Sequence, residues 1–243
     1  MKFPIVAASA ALSIGIAFSG WFIGGGVSDA SKIERFVSVK GLAEKQVMAD
    51  RAVWAISYVS ASNNLAEARE ALKKSQTAGF AFLDKYNIER SDIELQNLRI
   101  LDQLARTYNT RDVALRYLLQ QTILVRTNNI NAVAQASQNV GELLDAGVLL
   151  GNIEGYNGND GPQYIFTQLN DIKPDMIAEA TANARLAAQK FAKDAGADIE
   201  GIRRAVQGRF EILPAENALG LSEANQIHKK VRVVTTLDYV LES

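Results

Sequence analysis

From Phe3 to Ser28 the chain carries no charged residue, and that stretch limits what everything after it can be. Written as a helix at ~1.5 Å per residue, it would be about 39 Å long, more than the ~30 Å hydrocarbon core of a bilayer. Lys2 supplies the positive start, residues 3–23 the apolar run, and Ser28-Asp29-Ala30 a small-x-small cleavage site. Two readings fit. The segment is a cleaved signal peptide, or it is a retained single-pass anchor in the inner membrane through residues 3–28, with Trp21 and Phe22 near the outer interface. Both deliver the chain from about residue 31 into the periplasm. No twin arginine precedes the apolar run, so the general secretory route is expected. Gly20 and Gly24 have the GxxxG spacing of a helix-dimerisation face, although the Gly24-Gly25-Gly26 run also reads as a plain helix exit. The expected division is therefore 1–30 as export signal or anchor and 31–243 as one folded domain.

Composition removes whole classes of chemistry. There is no cysteine, which excludes disulfides, thiolate catalysis, cysteine-bound zinc and a lipidated cysteine. An exported chain without disulfides must be held by its core and by assembly. One histidine, His228, leaves no His-rich metal site. Lys+Arg 26 against Asp+Glu 27 gives net charge −1, so no nucleic-acid footprint is expected.

Along the exported part, strand pairs alternate with helices. Residues 35–41 read as a short strand, and 51–60 as a clearer one. In the latter Trp54, Ile56 and Tyr58 share one face, while Val53, Ala55, Ser57 and Val59 make the other only weakly polar. A sheet covered on both faces, or covered by a partner, is implied. Asn63-Asn64 caps a helix over 65–86 with Leu65, Ala68, Leu72, Gln76, Gly79 and Leu83 inward. Residues 93–101 and 116–127 read as antiparallel strands joined by a polar loop over 102–114. A second helix spans 130–145, with Val133, Ala136, Val140 and Leu143 inward and Gly147 past its end. Short strands follow at 148–153 and 163–169, separated by the turn-rich 155–162. Pro174-Asp175 opens a third helix to Ala195, with Ile177, Ala180, Ala184, Ala188, Phe191 and Ala195 inward and Gly196 as its stop. Residues 202–212 and 229–242 are the last strands, joined by a loop over 214–226. The order ββα-ββα-ββα-ββ predicts an α+β fold with antiparallel strand pairs and three intervening helices.

Chemical motifs are few. No Gly-Lys pair exists for a phosphate loop, and HExxH and GxSxG are absent. His228 sits beside Lys229 and Lys230 and reads as a solvated residue at a strand start. Tyr156 to Gly161 is rich in Asn, Asp and Gly, but Tyr156 and Gly158 stand where a calcium loop needs oxygen ligands, so a tight turn is expected. Arg203, Arg204, Arg209, Lys229, Lys230 and Arg232 gather on the late strands. They suggest a basic face for an anionic polymer, or charges that guard sheet edges. Asp92/Glu94 and Asp171/Asp175 are carboxylate pairs by spacing only, and turn or cap roles account for them. No catalytic, cofactor-binding or metal-binding residue is assigned, and no cofactor is expected. Three functions remain: a self-assembling non-enzymatic protein, a binding module using loops 102–114 and 155–162, and a hydrolase working with carboxylates alone.

Three stretches resemble the SIMPL-domain family. The first is Val37-x-Val39-x-Gly41, then Asp50-Arg51-Ala52-Val53-Trp54, then Glu67-Ala68. The second is the Ala/Arg/Lys-rich third helix: Ala178, Ala182, Ala184-Arg185, Ala187-Ala188-Gln189-Lys190, Ala192 and Gly196. The third is Val231-Arg232-Val233-Val234-Thr235 leading to Tyr239-Val240-Leu241. The resemblance spans about residues 35–242. Two departures stand out: Leu42-Ala43 follows Gly41 where a Gly-x-Gly is usual, and Ala49-Asp50 stands where many members have Pro-Asp. The resemblance implies an α+β fold, an extracytoplasmic location, a tendency to form homo-oligomers and an association with envelope or oxidative stress. It implies no catalytic residues, so none are carried over.

Overall fold

A computed structural model describes residues 35–96, 98–105, 114–153, 161–216, 220 and 222–242. The leader reading lies outside these residues, and so does the centre of each candidate binding loop. The fold is α+β, as the order of elements predicts. The described chain runs β1 (Phe36–Met48), β2 (Arg51–Ser62), α1 (Leu65–Lys85), β3 (Ile93–Leu95), β4 (Arg99–Asp102), β5 (Tyr117–Thr127), α2 (Ile130–Gln138), α3 (Gly141–Asp145), β6 (Leu149–Leu150), β7 (Gln163–Ile165), α4 (Leu169–Asp194), β8 (Asp198–Gln207), β9 (Glu211–Pro214) and β10 (His228–Glu242). It divides into two compact units. The larger holds residues 42–180 and 208–234; the smaller holds the described residues up to 41, 181–207 and 235–242.

The larger unit contains the six-stranded sheet. β2 and β5 form its centre over an eleven-residue antiparallel register from Ala52↔Thr127 to Ser62↔Tyr117. β3 and β4 pair with β5, and β6 and β7 with β2. One face meets α1, α2 and α3 in a core of Trp54, Ile56, Tyr58, Leu83, Ile123, Val125, Val133 and Leu143. Asn64 caps α1 by accepting from Ala66 N at 2.8 Å. Gly79 lets α1 approach the sheet: a Cβ there would stand 2.7 Å from Ile123 Cδ1. A second cluster in this unit joins Ala43, Met176, Ala180, Val231 and Val233. In the smaller unit, Val39, Ala184, Ala188, Leu237 and Tyr239 form the core, and β8 pairs with β10.

Several boundaries differ from expectation. The third helix begins at Leu169, with Pro174 inside it. Leu169, Ile172 and Met176 pack into one cluster, and that burial outweighs the backbone hydrogen bond proline removes. Phe191 is 61% exposed, and Ala192, 1% exposed, takes its inward place. The second helix is two: Asn139 closes α2, its side-chain amide donating to Gln135 O at 2.8 Å. The 93–101 strand is interrupted after Leu95. The 202–212 strand is cut at Gly208, whose N–H donates to Val234 O at 2.9 Å. β1 runs seven residues past Gly41, because Ala43 and Val47 also find a core to enter.

Candidate functional site

Among the described residues, the helices of the larger unit cover one face of its sheet and leave the other without a helix. Residues directly opposite in an antiparallel ladder share a face. The uncovered face therefore carries Val53, Ala55, Ser57 and Val59 from β2, opposite Arg126, Leu124, Thr122 and Gln120 from β5. Leu149 lies beside Val59 and is 61% exposed; Ile165 lies beside Arg51 and is 40% exposed. Of the two expectations for β2, cover on both faces from within the chain is met on the Trp54 face alone among the described residues. Trp54, Ile56 and Tyr58 are buried, whereas on the other face Val53, Ser57 and Val59 are half-buried and Ala55 is exposed.

Where β3 gives way to β4, this face opens into a shallow pocket of about 390 Å³ lined by Glu94, Leu95, Gln96, Arg99, Gln120 and Thr122. Its floor is polar and ordered. Ser57 Oγ and Thr122 Oγ1 share a hydrogen bond at 2.8 Å. Gln120 is buried, and its Oε1 accepts from Ile153 N at 3.1 Å. Glu94 is ion-paired to Arg126 across the sheet. Beside it, on the core face, Tyr58 donates to Gln121 Oε1 at 3.1 Å, and burial pushes its hydroxyl up to about 12.

Both expected binding loops start from this sheet. Asp102 and Arg116 clasp the base of the first. Arg116 Nη2 donates to Asp102 Oδ2 at 2.9 Å and Nε to Oδ1 at 3.1 Å, and Gln103 Nε2 donates to Leu115 O at 3.0 Å. The guanidinium holds the Asp102 carboxyl below the usual carboxylate range. The second loop leaves over β2, where Gly151 N donates to Ser57 O at 3.0 Å, and passes Gln120 at Ile153. Residues 106–113 and 154–160, including most of the Tyr156–Gly161 turn, lie outside the described residues. The chemistry on offer is amide, hydroxyl and guanidinium hydrogen bonding. Sequence reading missed Gln96, Arg99, Gln120 and Thr122. The usable signal was the break in alternation at Gln96-Asn97, two polar residues in succession within the 93–101 stretch.

The other sequence candidates scatter. Asp92 ends a short helical turn while Glu94 pairs with Arg126, so this pair does not converge. Asp171 and Asp175 lie on the first turns of α4. His228 is exposed at the start of β10. The basic face needs correction, because Lys229 is fully buried. It is ion-paired to Glu223, and its ammonium also donates to Glu223 O at 2.6 Å. Lys230 and Arg232 both approach Glu44, at 3.6 and 3.9 Å. Arg203, Arg204 and Arg209 are exposed; Arg204 stands opposite Asp238 in the ladder, and Arg203 lies over the Phe36 ring at 4.9 Å. Among the described residues no cluster of three or more acidic or histidine side chains is placed to hold a metal, and no helix is long and apolar enough to cross a membrane.

Ala49, standing where many SIMPL-domain members have proline, donates its N–H to Ile227 O at 2.8 Å, a bond that proline could not make. Asp50, which follows alanine here, accepts from Thr167 N and Thr167 Oγ1, both at 2.9 Å, and so fixes the turn that leads from β7 into α4. The SIMPL family model, described as a protein of unknown function (DUF541), matches residues 37–230. The chain belongs to the SIMPL family. No curated protein matches the sequence. Among solved structures, a hydrolase from Listeria innocua is 10% identical, covers 82% of this chain and 91% of its own, and has a TM-score of 0.23. The regulatory subunit of aspartate kinase from Thermus flavus is 14% identical over 83% and 89%, with a TM-score of 0.19. Likenesses this low carry no argument about this SIMPL protein's fold or activity.

Proposed function

We propose that this SIMPL protein is a non-enzymatic protein of the periplasm that assembles with copies of itself and serves envelope or oxidative-stress homeostasis. The observation that carries the reading is the uncovered face of the six-stranded sheet, where Leu149 and Ile165 stand exposed beside half-buried Val53 and Val59. Exposed apolar side chains on a pleated surface, set among polar ones, are suited to contact with another surface. The charge-free leader supports export, and if retained it tethers the chain to the inner membrane. Light scattering on the chain without residues 1–30 tests the assembly. A mass above one chain, falling on dilution, is expected, and a monomer at every concentration would overturn it. Fractionation of cells tests the location: the protein is expected in the periplasmic or inner-membrane fraction.

A second reading rests on the polar pocket. With Gln96, Arg99, Gln120 and Thr122 lining it and both loops rooted beside it, the same face suits a small polar ligand or an envelope polymer. A thermal-shift screen against envelope saccharides and peptides tests this, since a ligand that binds only the folded state raises Tm. No shift with any of them would remove this reading.

A further inference from the structure

We infer that β8 is a self-pairing edge: two copies of the chain join antiparallel along it, about a two-fold axis near Gly201 and Ile202. This rests on the self-association proposed above and names a surface for it. β8 ends the strand order β1-β10-β8, so β10 occupies one of its sides and the other side meets no strand among the described residues. It is ten residues long and exposed throughout except at Ile199, with Ile202 45% and Val206 44% exposed. Long exposed edges are pairing templates unless something blocks them. Here the charges are sorted along the strand. Asp198 and Glu200 occupy the first half, with Glu242 opposite Asp198. Arg203 and Arg204 occupy the second.

That order is self-complementary only in the antiparallel sense. A two-fold axis through the middle of the strand sets the acidic half of each copy against the basic half of the other, whereas a parallel pairing sets like against like. Opposite-charge cross-strand pairs favour a ladder and like-charge pairs oppose it. Other charges temper the pattern without cancelling it: Lys193 lies near Asp198 and Glu242, and Asp238 stands opposite Arg204. The register shifts on β10 between Asp238 and Tyr239, and between Tyr239 and Leu241, bend the strand pair locally. Around Gly201, near the axis, a Cβ would meet nothing within 4 Å, so the space there is open.

The test uses the full-length chain in mild detergent, with mass by light scattering and fold by circular dichroism. Glu200→Arg and Arg204→Glu are each expected to weaken association at least about tenfold, since each places like charges opposite one another. Reversing all four charges, Asp198→Arg, Glu200→Arg, Arg203→Glu and Arg204→Glu, restores self-complementarity and is expected to restore the dimer. Because the chain has no cysteine, Gly201→Cys and Ile202→Cys report the axis directly: at least one cross-links to its own copy on oxidation, and Ser38→Cys on β1 does not. If Arg204→Glu fails to fold, Glu200→Arg and the cysteine variants still decide. Assembly that ignores the β8 charges but is lost in Leu149→Glu, or cross-linking at Ser38 instead, overturns the β8 assignment and leaves self-association standing. A monomer at every concentration overturns both.

Discussion

Two glycines show how far one atom decides the outcome at the residue scale. A Cβ on Gly79 would press on Ile123 Cδ1, the far end of a flexible side chain, while a Cβ on Gly208 would run into the backbone carbonyl of Val234. Gly79→Ala also gains about 1 kcal/mol of helix propensity, which offsets the push on Ile123, so its Tm is expected to stay close to wild type. Gly208→Ala has no such offset and must move a ladder strand, at about 1–3 kcal/mol. Denaturant unfolding of the two variants separates them, and equal effects would refute this account. The Lys229–Glu223 pair is asymmetric in a similar way. Lys229 is fully buried, whereas the Glu223 side chain is 37% exposed. Glu223→Ala leaves an ammonium in the core with one backbone carbonyl for company, at about 3 kcal/mol. Lys229→Met leaves a carboxylate that water can reach. Glu223→Ala is therefore expected to be the more destabilising of the two, by the same measurement.

Elements were legible where one local signal acts alone. The Asn64 cap, the ends of α1 and the stops at Gly147 and Gly196, with φ of 81° and 68°, follow from side-chain chemistry within a few residues. Boundaries set by packing were not legible. The α4 stripe runs Met176, Ala180, Ala184, Ala188, Ala192 in steps of four, each overshooting a full turn by about 40°. A straight stripe drawn by the average period puts Phe191 inward instead. The pocket was hidden for the same reason: it exists only because β3 stops and β4 restarts along β5, a matter of register. The Asp102–Arg116 clasp at its margin makes an acid-sensitive element. A carboxyl held low when folded adds stability above its ordinary value of about 4, and that stability is lost as pH falls through the lower folded value. Glu142, held low by Lys85 and the Tyr86 hydroxyl, adds the same trend between α3 and α1. Thermal unfolding from pH 7 down to pH 3 should therefore show a shallower fall of Tm in Asp102→Asn than in wild type, with the two curves meeting at the acid end. Parallel curves would show that the clasp contributes nothing.

At the scale of the whole molecule, the two units have unequal means of staying folded. The larger has an extended core around Trp54, Tyr58, Leu83 and Ile123. Among the described residues, the smaller unit's core cluster has five buried members, two of them alanines, so its cohesion depends on close approach more than on buried apolar volume. Ala184 and Ala188 are each 0% exposed against Leu237, Tyr239 and Val39, which leaves no room for a longer side chain. Ala184→Leu is therefore an overpacking substitution, at about 1–3 kcal/mol. Its effect should be local in the hydrogen-exchange sense, because regions open separately when few contacts hold them. Amides of β8 and of residues 236–242 on β10 are expected to exchange faster in the variant, while those of β2 and β5 keep their wild-type protection. If protection falls equally in β2 and β5, the molecule unfolds as one cooperative body. In that case the small unit's thin core is stabilised by the rest of the fold rather than by its alanine row.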